Sequence, residues 1–338
     1  MADKTPYQSA DKSIDVTALG NAIVDVIARS DDGFLGEHGI EKGAMNLIDA
    51  ERAEFLYDHM GPGLEMSGGS AGNTITGVAQ LGSSGAYIGK VHDDTLGKVF
   101  RHDIQASGVR FDTVAASDGP PTARCLIMVT PDAQRSMNTY LGACVDLGPE
   151  DVDGDVIAAS KVVYLEGYLW DPPRAKEAFT KAASIAHATG GKVSLTLSDS
   201  FCVDRHRVEF RELVKHHVDI LFANEDELKS LFEVSSFDEA MQQLRWECDV
   251  AAVTRGDRGS VVMVKDEVHF HDAEAAEKVI DTTGAGDLYA AGFLHAYCQD
   301  LDPALWGRYG GIAAAEVISH YGARPETDLK TLVAEKLG

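Results

Sequence analysis

The residues best suited to chemistry lie in Asp281-Thr-Thr-Gly-Ala-Gly-Asp287, ahead of the apolar run Leu-Tyr-Ala-Ala-Gly-Phe-Leu-His-Ala-Tyr. Gly284, Ala285 and Gly286 carry almost no side chain, so their backbone N–H groups can converge on one point. The helix that follows would bring its positive N-terminal end to the same point, and together these make an anion site. Asp287 would then be placed to take a proton from a hydroxyl attacking a bound phosphate. On its own, the string reads more simply as a tight turn with Asp287 capping a helix. No G-x-x-x-x-G-K-[ST] string occurs in the chain, and Tyr289 stands where a dinucleotide fingerprint needs its third glycine.

Positioning these groups calls for a scaffold, and the sequence indicates an α/β one. Ile14–Leu19, ending at Gly20-Asn21, reads as a first buried strand. Short apolar runs at Ala123–Val129, Lys161–Tyr164, Lys192–Leu197, Asp219–Phe222 and Val250–Val253 read as further ones. The stretch from Pro172 to Thr189 opens on prolines, carries Ala178, Phe179, Ala182, Ile185 and Ala186 at helical spacing, and stops at Gly190-Gly191. Ser236-Phe-Asp-Glu239 is a capping-box pattern, and Ser260–Val264 with Val268–His271 reads as a hairpin. Strands alternating with helices after about residue 160 predict parallel βαβ units covered on both faces. The Gly- and Pro-richer stretches at about 33–50 and 108–140 would form a small β-rich lid, with the main domain spanning 14–338.

Composition narrows the functional classes. With 30 Lys+Arg against 54 Asp+Glu, the net charge is −24, which argues against a nucleic-acid partner but not against a small phosphate held by backbone N–H groups. The five cysteines are scattered and form no C-x-x-C pair, so reduced, buried thiols are expected rather than a disulfide framework. The polar opening residues predict a loose tail over 1–13 rather than a secretory signal, and no apolar run is long enough to span a membrane. A cytoplasmic enzyme is the expectation.

Three motifs together carry a family resemblance. Asp281–Asp287 resembles the second signature of the ribokinase-like, phosphofructokinase B-type carbohydrate kinases. Ser67-Gly-Gly-Ser-Ala-Gly-Asn-Thr-Ile-Thr-Gly-Val-Ala-Gln-Leu-Gly82 resembles the first, and Asn224-Glu-Asp-Glu227 matches the family's N-x-x-E. Within the family, Gly20-Asn21-Ala-Ile-Val-Asp25, Gly68-Gly69-Ser70 with Asn73, and Gln134-Arg135-Ser136 ahead of Leu141-Gly142-Ala143 look most like adenosine kinases. The resemblance implies a mostly parallel sheet with helices on both faces and a small β lid. It also implies ATP- and Mg²⁺-dependent transfer of the γ-phosphoryl group to the 5′-hydroxyl of a purine nucleoside. The alternative is the same chemistry on fructose, ribose or a keto-deoxy sugar acid. A non-catalytic binding module or a nicotinamide-dependent oxidoreductase fits less well.

The resemblance also assigns roles. Asp287 would be the base, Gly284, Ala285 and Gly286 the anion hole, and Arg135 a lid arginine facing the transferred phosphate. Asn21, Asp25, Gly68, Gly69, Ser70 and Asn73 would hold the sugar hydroxyls, and Ile23, Tyr168, Leu169 and Phe201 would form a slot for the base. Asn224 and Glu227 would organise Mg²⁺ through water. Thr254, Arg255, Gly256, Thr283, Gly284 and Gly286 would contact ATP, and Asp281 with Thr283 would hold a monovalent cation such as K⁺. Read from the residues alone, Asp25 is a turn residue, Arg135 a solvated charge, and Asn224–Glu227 ordinary helix-start chemistry, while the four apolar residues belong to the core. A monomer is expected rather than a homodimer.

Overall fold

The computed structural model describes residues 11–132, 134–276 and 278–338, so the tail expected over 1–13 lies outside the described residues except for 11–13. In chain order the strands are β1 (Ile14–Leu19), β2 (Ile23–Arg29), β3 (Met45–Leu47), β4 (Gly63–Ser67), β5 (Gly85–Ile88), β6 (Ala123–Val129) and β7 (Arg135–Tyr140). They continue with β8 (Ser160–Glu166), β9 (Lys192–Thr196), β10 (Ile220–Asn224), β11 (Val250–Thr254), β12 (Ser260–Val264) and β13 (Glu267–His271). Eight of them form one sheet in the order β13-β12-β11-β10-β9-β8-β1-β5. It is parallel from β5 to β11 and ends in the antiparallel hairpin β12–β13.

The central strands are apolar on both faces because both faces are covered. Val162 and Tyr164 of β8 point into one core, Val163 and Leu165 into the other, and β10 divides Ile220 and Phe222 from Leu221 and Ala223 in the same way. One core lies under the helices Ser70–Gln80, Ala285–Cys298, Pro303–Val317 and Leu329–Leu337. The other lies under Pro173–Ala188, Ser200–His216, Glu225–Phe232 and Phe237–Leu244. The helix carrying Asp287 is held by very close contacts. A Cβ on Gly77 would lie 2.7 Å from Ala291 Cβ, and one on Gly292 would lie 2.3 Å from the Tyr309 carbonyl oxygen.

A second, five-stranded sheet in the order β3-β7-β6-β2-β4 lies against the first core. It takes only Met45–Leu47 from the stretch 33–50, where Asp32–Glu37 is a helix capped by the Asp31 carboxylate. From 108–140 it takes Ala123–Val129 and Arg135–Tyr140. Residues 110 and 116 instead bridge to Ala86 and His92, beside the edge strand β5 of the larger sheet. Strands β2 and β4 lie outside both stretches. In β2, Val24, Val26 and Ala28 are buried while Ile23, Asp25 and Ile27 are half-buried on the opposite face, and the carboxylate in that alternation disguises the strand in the sequence. No helix among the described residues is long and apolar enough to cross a membrane.

Candidate active site

A cavity of about 900 Å³ opens between the two sheets, at the C-terminal ends of the parallel strands. This is where open α/β sheets bind ligands, because the chain reverses direction there and helix N-termini point inward. Its floor is built by two helix starts. Gly284 takes φ +79°, and a Cβ there would lie 2.7 Å from Ala323 Cβ and 2.9 Å from its Cα, so only glycine fits. The helix Ala285–Cys298 begins immediately after it, nothing crowds Gly286, and Gly284, Ala285 and Gly286 all line the cavity. The Ala285 N–H already donates to the Thr282 carbonyl at 3.2 Å, so Ala285 is not a free anion-hole donor.

Asp287 sits one step further along. Its Oδ1 accepts from Ser70 Oγ at 2.6 Å and its Oδ2 from Asn73 Nδ2 at 2.9 Å, both from the start of the helix Ser70–Gln80. Burial raises the Asp287 pKa, while the Ser70 and Asn73 hydrogen bonds and the Arg324 charge oppose the rise. The carboxylate is thereby aimed, desolvated and able to accept a proton.

The acceptor side is organised around the Gly68–Gly69 turn. Gly69 has φ +80°, and a Cβ there would lie 2.4 Å from the Asn21 carbonyl oxygen; one on Gly68 would lie 2.4 Å from Asp25 Oδ2. Gly68 thus lies against the Asp25 carboxylate without itself lining the cavity, whereas Asn21, Ile23, Asp25, Gly69, Ser70 and Asn73 all line it. Burial lifts Asp25 to about 6, against the Arg324 and Arg135 charges and with a smaller push from Asp287.

Glu166, at the end of β8, is fully buried and was not foreseen. It accepts from Asn21 Nδ2 at 2.9 Å and from the Ala71 N–H at 2.8 Å, and burial still lifts it to about 7. A glutamate closing an apolar parallel strand just before a glycine was the available signal. Arg324, from the loop after Pro303–Val317, gave no local signal because its partners, Ser67 and Gly72, lie some 250 residues away in sequence. Ser198, also unforeseen, has φ +72° and holds Tyr168, whose N–H donates to its Oγ at 3.1 Å and whose hydroxyl donates to its carbonyl at 3.3 Å. Such a backbone costs about 1–3 kcal/mol and is kept where a site requires it.

Of the four residues expected in a base slot, Ile23, Tyr168 and Phe201 line the cavity, and Phe201 is exposed at its mouth. Leu169 does not: it is fully buried in the second core, because the short 3-10 turn Gly167–Trp170 sends neighbouring side chains in opposite directions. The smaller sheet adds apolar lining that the sequence reading missed, namely Ile27, Ile127 and Met137, which share a face with Asp25 and Arg135 by strand alternation.

At the other end, Thr254, Arg255 and Gly256 line the cavity beside Asn224 and Glu227. Arg255 donates to Glu225 at 3.0 Å and lies over the Phe237 ring. Asn224 and Glu227 form a reciprocal capping box, so the helix-start chemistry read from the residues is present too. The Glu227 carboxyl is pushed up to about 7 by burial, with the Asp199 and Asp226 charges adding to the rise. Among the described residues no group of three or more His, Cys, Asp or Glu is placed to ligate a metal directly. Acidic groups gathered at the cavity edge fit Mg²⁺ held through its own water and through phosphate.

The Asp281 carboxylate, as distinct from the backbone oxygens of Asp281 and Thr283, fits a cation poorly. Its Oδ1 accepts from the Thr283 N–H and hydroxyl, and its Oδ2 accepts from the Gly322 N–H at 3.0 Å and from Arg135 Nη1. Four donors, one of them a guanidinium, occupy the carboxylate oxygens that a monovalent ion would need. Among the described residues Arg135 Nε and Nη2 find no partner, and Arg135 is buried against the cavity.

A family model for the pfkB family carbohydrate kinases matches residues 60–330. The chain belongs to this family. Among solved structures, the adenosine kinase from Sinorhizobium meliloti is 56% identical with a TM-score of 0.89, covering 96% of this chain and 100% of that one. A probable sugar kinase from Rhizobium etli is 53% identical with a TM-score of 0.90, covering 96% and 99%. The 5-dehydro-2-deoxygluconokinase of Bacillus licheniformis is 28% identical over 267 residues, 76% of this chain and 82% of its own length. The chain is therefore a ribokinase-like phosphotransferase acting on a hydroxyl group, and pfkB kinases use ATP and Mg²⁺.

Proposed function

We propose that this pfkB kinase transfers the γ-phosphoryl group of ATP to the 5′-hydroxyl of adenosine or a related purine nucleoside. The observation that carries the reading is the apolar inner face of the smaller sheet: Ile23, Ile27, Ile127 and Met137 line the cavity on the same face as Asp25. A free sugar leaves that face wet, whereas a purine covers it. The 56% identity to the Sinorhizobium meliloti adenosine kinase supports the same reading.

In this scheme Asp25 and Asn21 accept and donate to the ribose diol, and Gly69 lets the backbone come close to it. That leaves the 5′-hydroxyl toward Asp287, which takes its proton as the phosphoryl group arrives. The amides of Gly284 and Gly286, with the two Arg135 donors that lack partners among the described residues, stabilise charge on the transferring group. Asn224 and Glu227 would hold Mg²⁺ through its water, and the ion would supply positive charge to the phosphate oxygens. The smaller sheet acts as the lid that excludes water.

Coupled ADP release across nucleosides and free sugars tests the reading. Covering roughly 120 Å² of base contributes about 3 kcal/mol, or roughly a hundredfold in kcat/KM over any free sugar. A sugar that outperforms every nucleoside would show that the acceptor is a carbohydrate, as the Rhizobium etli and Bacillus licheniformis relatives suggest for the alternative.

A further inference from the structure

The Arg324 guanidinium lies at the cavity wall, yet among the described residues it makes no direct ion pair. Its donors all go to neutral oxygens. Nε and Nη2 reach the Ser67 carbonyl at 3.2 and 2.9 Å, Nη2 also reaches Ser67 Oγ at 2.9 Å, and Nη1 reaches the Gly72 carbonyl at 2.7 Å. These contacts clamp the end of β4 to the first turn of Ser70–Gln80, on either side of the Gly68–Gly69 turn. Ser67 is in turn anchored by its N–H and hydroxyl to Asp103 Oδ2, at 2.7 and 2.6 Å. Arg135 differs, because its charge is already paired with Asp281.

A half-buried guanidinium without a salt-bridge partner acts on the carboxylates around it, Asp103 first and then Asp25 and Asp287, and burial would otherwise drive those carboxylates toward the protonated form. We infer that Arg324 is a positioning residue for phosphoryl transfer: it locks the turn between Asp25 and Ser70 and brings a positive charge without a salt-bridge partner to the cavity wall that Asp25 and Asp287 also line. The other groups that act on these two carboxylates are Arg135 of β7, Cys125 of β6, Tyr164 and Glu166 of β8, and Tyr168, while Asp103 and Tyr87 face Arg324 itself. None of them replaces Arg324, since only Arg135 carries positive charge and it is shared with Asp281.

The inference rests on Asp287 serving as base in a kinase, and the test is made with whichever acceptor the wild-type enzyme turns over. An error in the acceptor assignment therefore leaves the comparison intact. Arg324→Met and Arg324→Lys are assayed for kcat/KM from about pH 5 to 9, with thermal melting alongside. Removing the charge raises the carboxylate pKa values. The acid limb of Arg324→Met should therefore move up by about one pH unit, a roughly tenfold loss near pH 6 that recovers above pH 8. Arg324→Lys keeps the charge but not the four hydrogen bonds, so its limb stays in place while KM rises. An Arg324→Met limb that does not move, with equal loss at every pH, overturns the inference. If Arg324→Met does not fold, Arg324→Lys carries the test, and a limb that moves in that variant overturns it equally.

Discussion

Replacing Asp287 by Asn separates catalysis from folding, and the structure sets the size of each effect. The carboxylate accepts one hydrogen bond from Ser70 Oγ and one from Asn73 Nδ2. An amide keeps the shape but turns one acceptor into a donor. Ser70 can accept as well as donate, and Asn73 Oδ1 is buried without a partner among the described residues, so an Asn73 amide flip offers the new donor an acceptor. The folded-state pKa of Asp287 is raised above its unfolded value by burial, so its ionised form opposes folding at neutral pH. Asp287→Asn should therefore melt no lower than the wild type at pH 7. Losing the base should lower kcat by about 10² to 10⁴-fold, equivalent to roughly 2.7–5.4 kcal/mol of transition-state stabilisation. Nucleotide affinity should persist, because the amides of Gly284 and Gly286 are untouched. Coupled ADP release, a nucleotide titration and a thermal melt give all three numbers. A variant that turns over within about fivefold of wild type would refute Asp287 as the base.

Glu166→Gln should weaken acceptor binding about tenfold, since an amide nitrogen there faces the Asn21 or Ala71 donors, and KM rather than kcat should report it. The native Glu166 also leaves a signature in stability. Its folded pKa of about 7 lies above the ordinary glutamate value of 4.5, so its contribution is full below about pH 4.5 and declines until about pH 7. Denaturant titrations should show that this decline is smaller in Glu166→Gln. Replacing potassium by choline in the assay should leave the rate unchanged, because the Asp281 carboxylate oxygens are already occupied by four donors; a steep potassium dependence would show that those donors give way.

The readable part of this protein was the part with a local physical cause. The parallel strands announce themselves because two apolar cores force both faces to be hydrophobic, and the β12–β13 hairpin alternates around Lys265-Asp266. The anion turn is legible because φ +79° at Gly284 admits only glycine. What stayed hidden depends on contacts across the fold. Strand β2 carries a carboxylate on the cavity face and so looks like a loop, while Leu169 differs from Tyr168 only in the direction its side chain leaves a short turn. Arg324 and Glu166 act on groups that the chain brings together only after folding.

Two of the four connections between the larger sheet and the smaller one carry Asn21 and Gly69, and both are tightly seated. A Cβ on Gly20 would lie 2.3 Å from Glu166 Oε2 and 2.4 Å from Ala71 Cβ. The hinge and the acceptor pocket thus share residues. Any swing of the smaller sheet must turn the torsions of the segment that holds the acceptor, so the geometry of the bound molecule and the degree of closure form a single mechanical coordinate, with no relay between them.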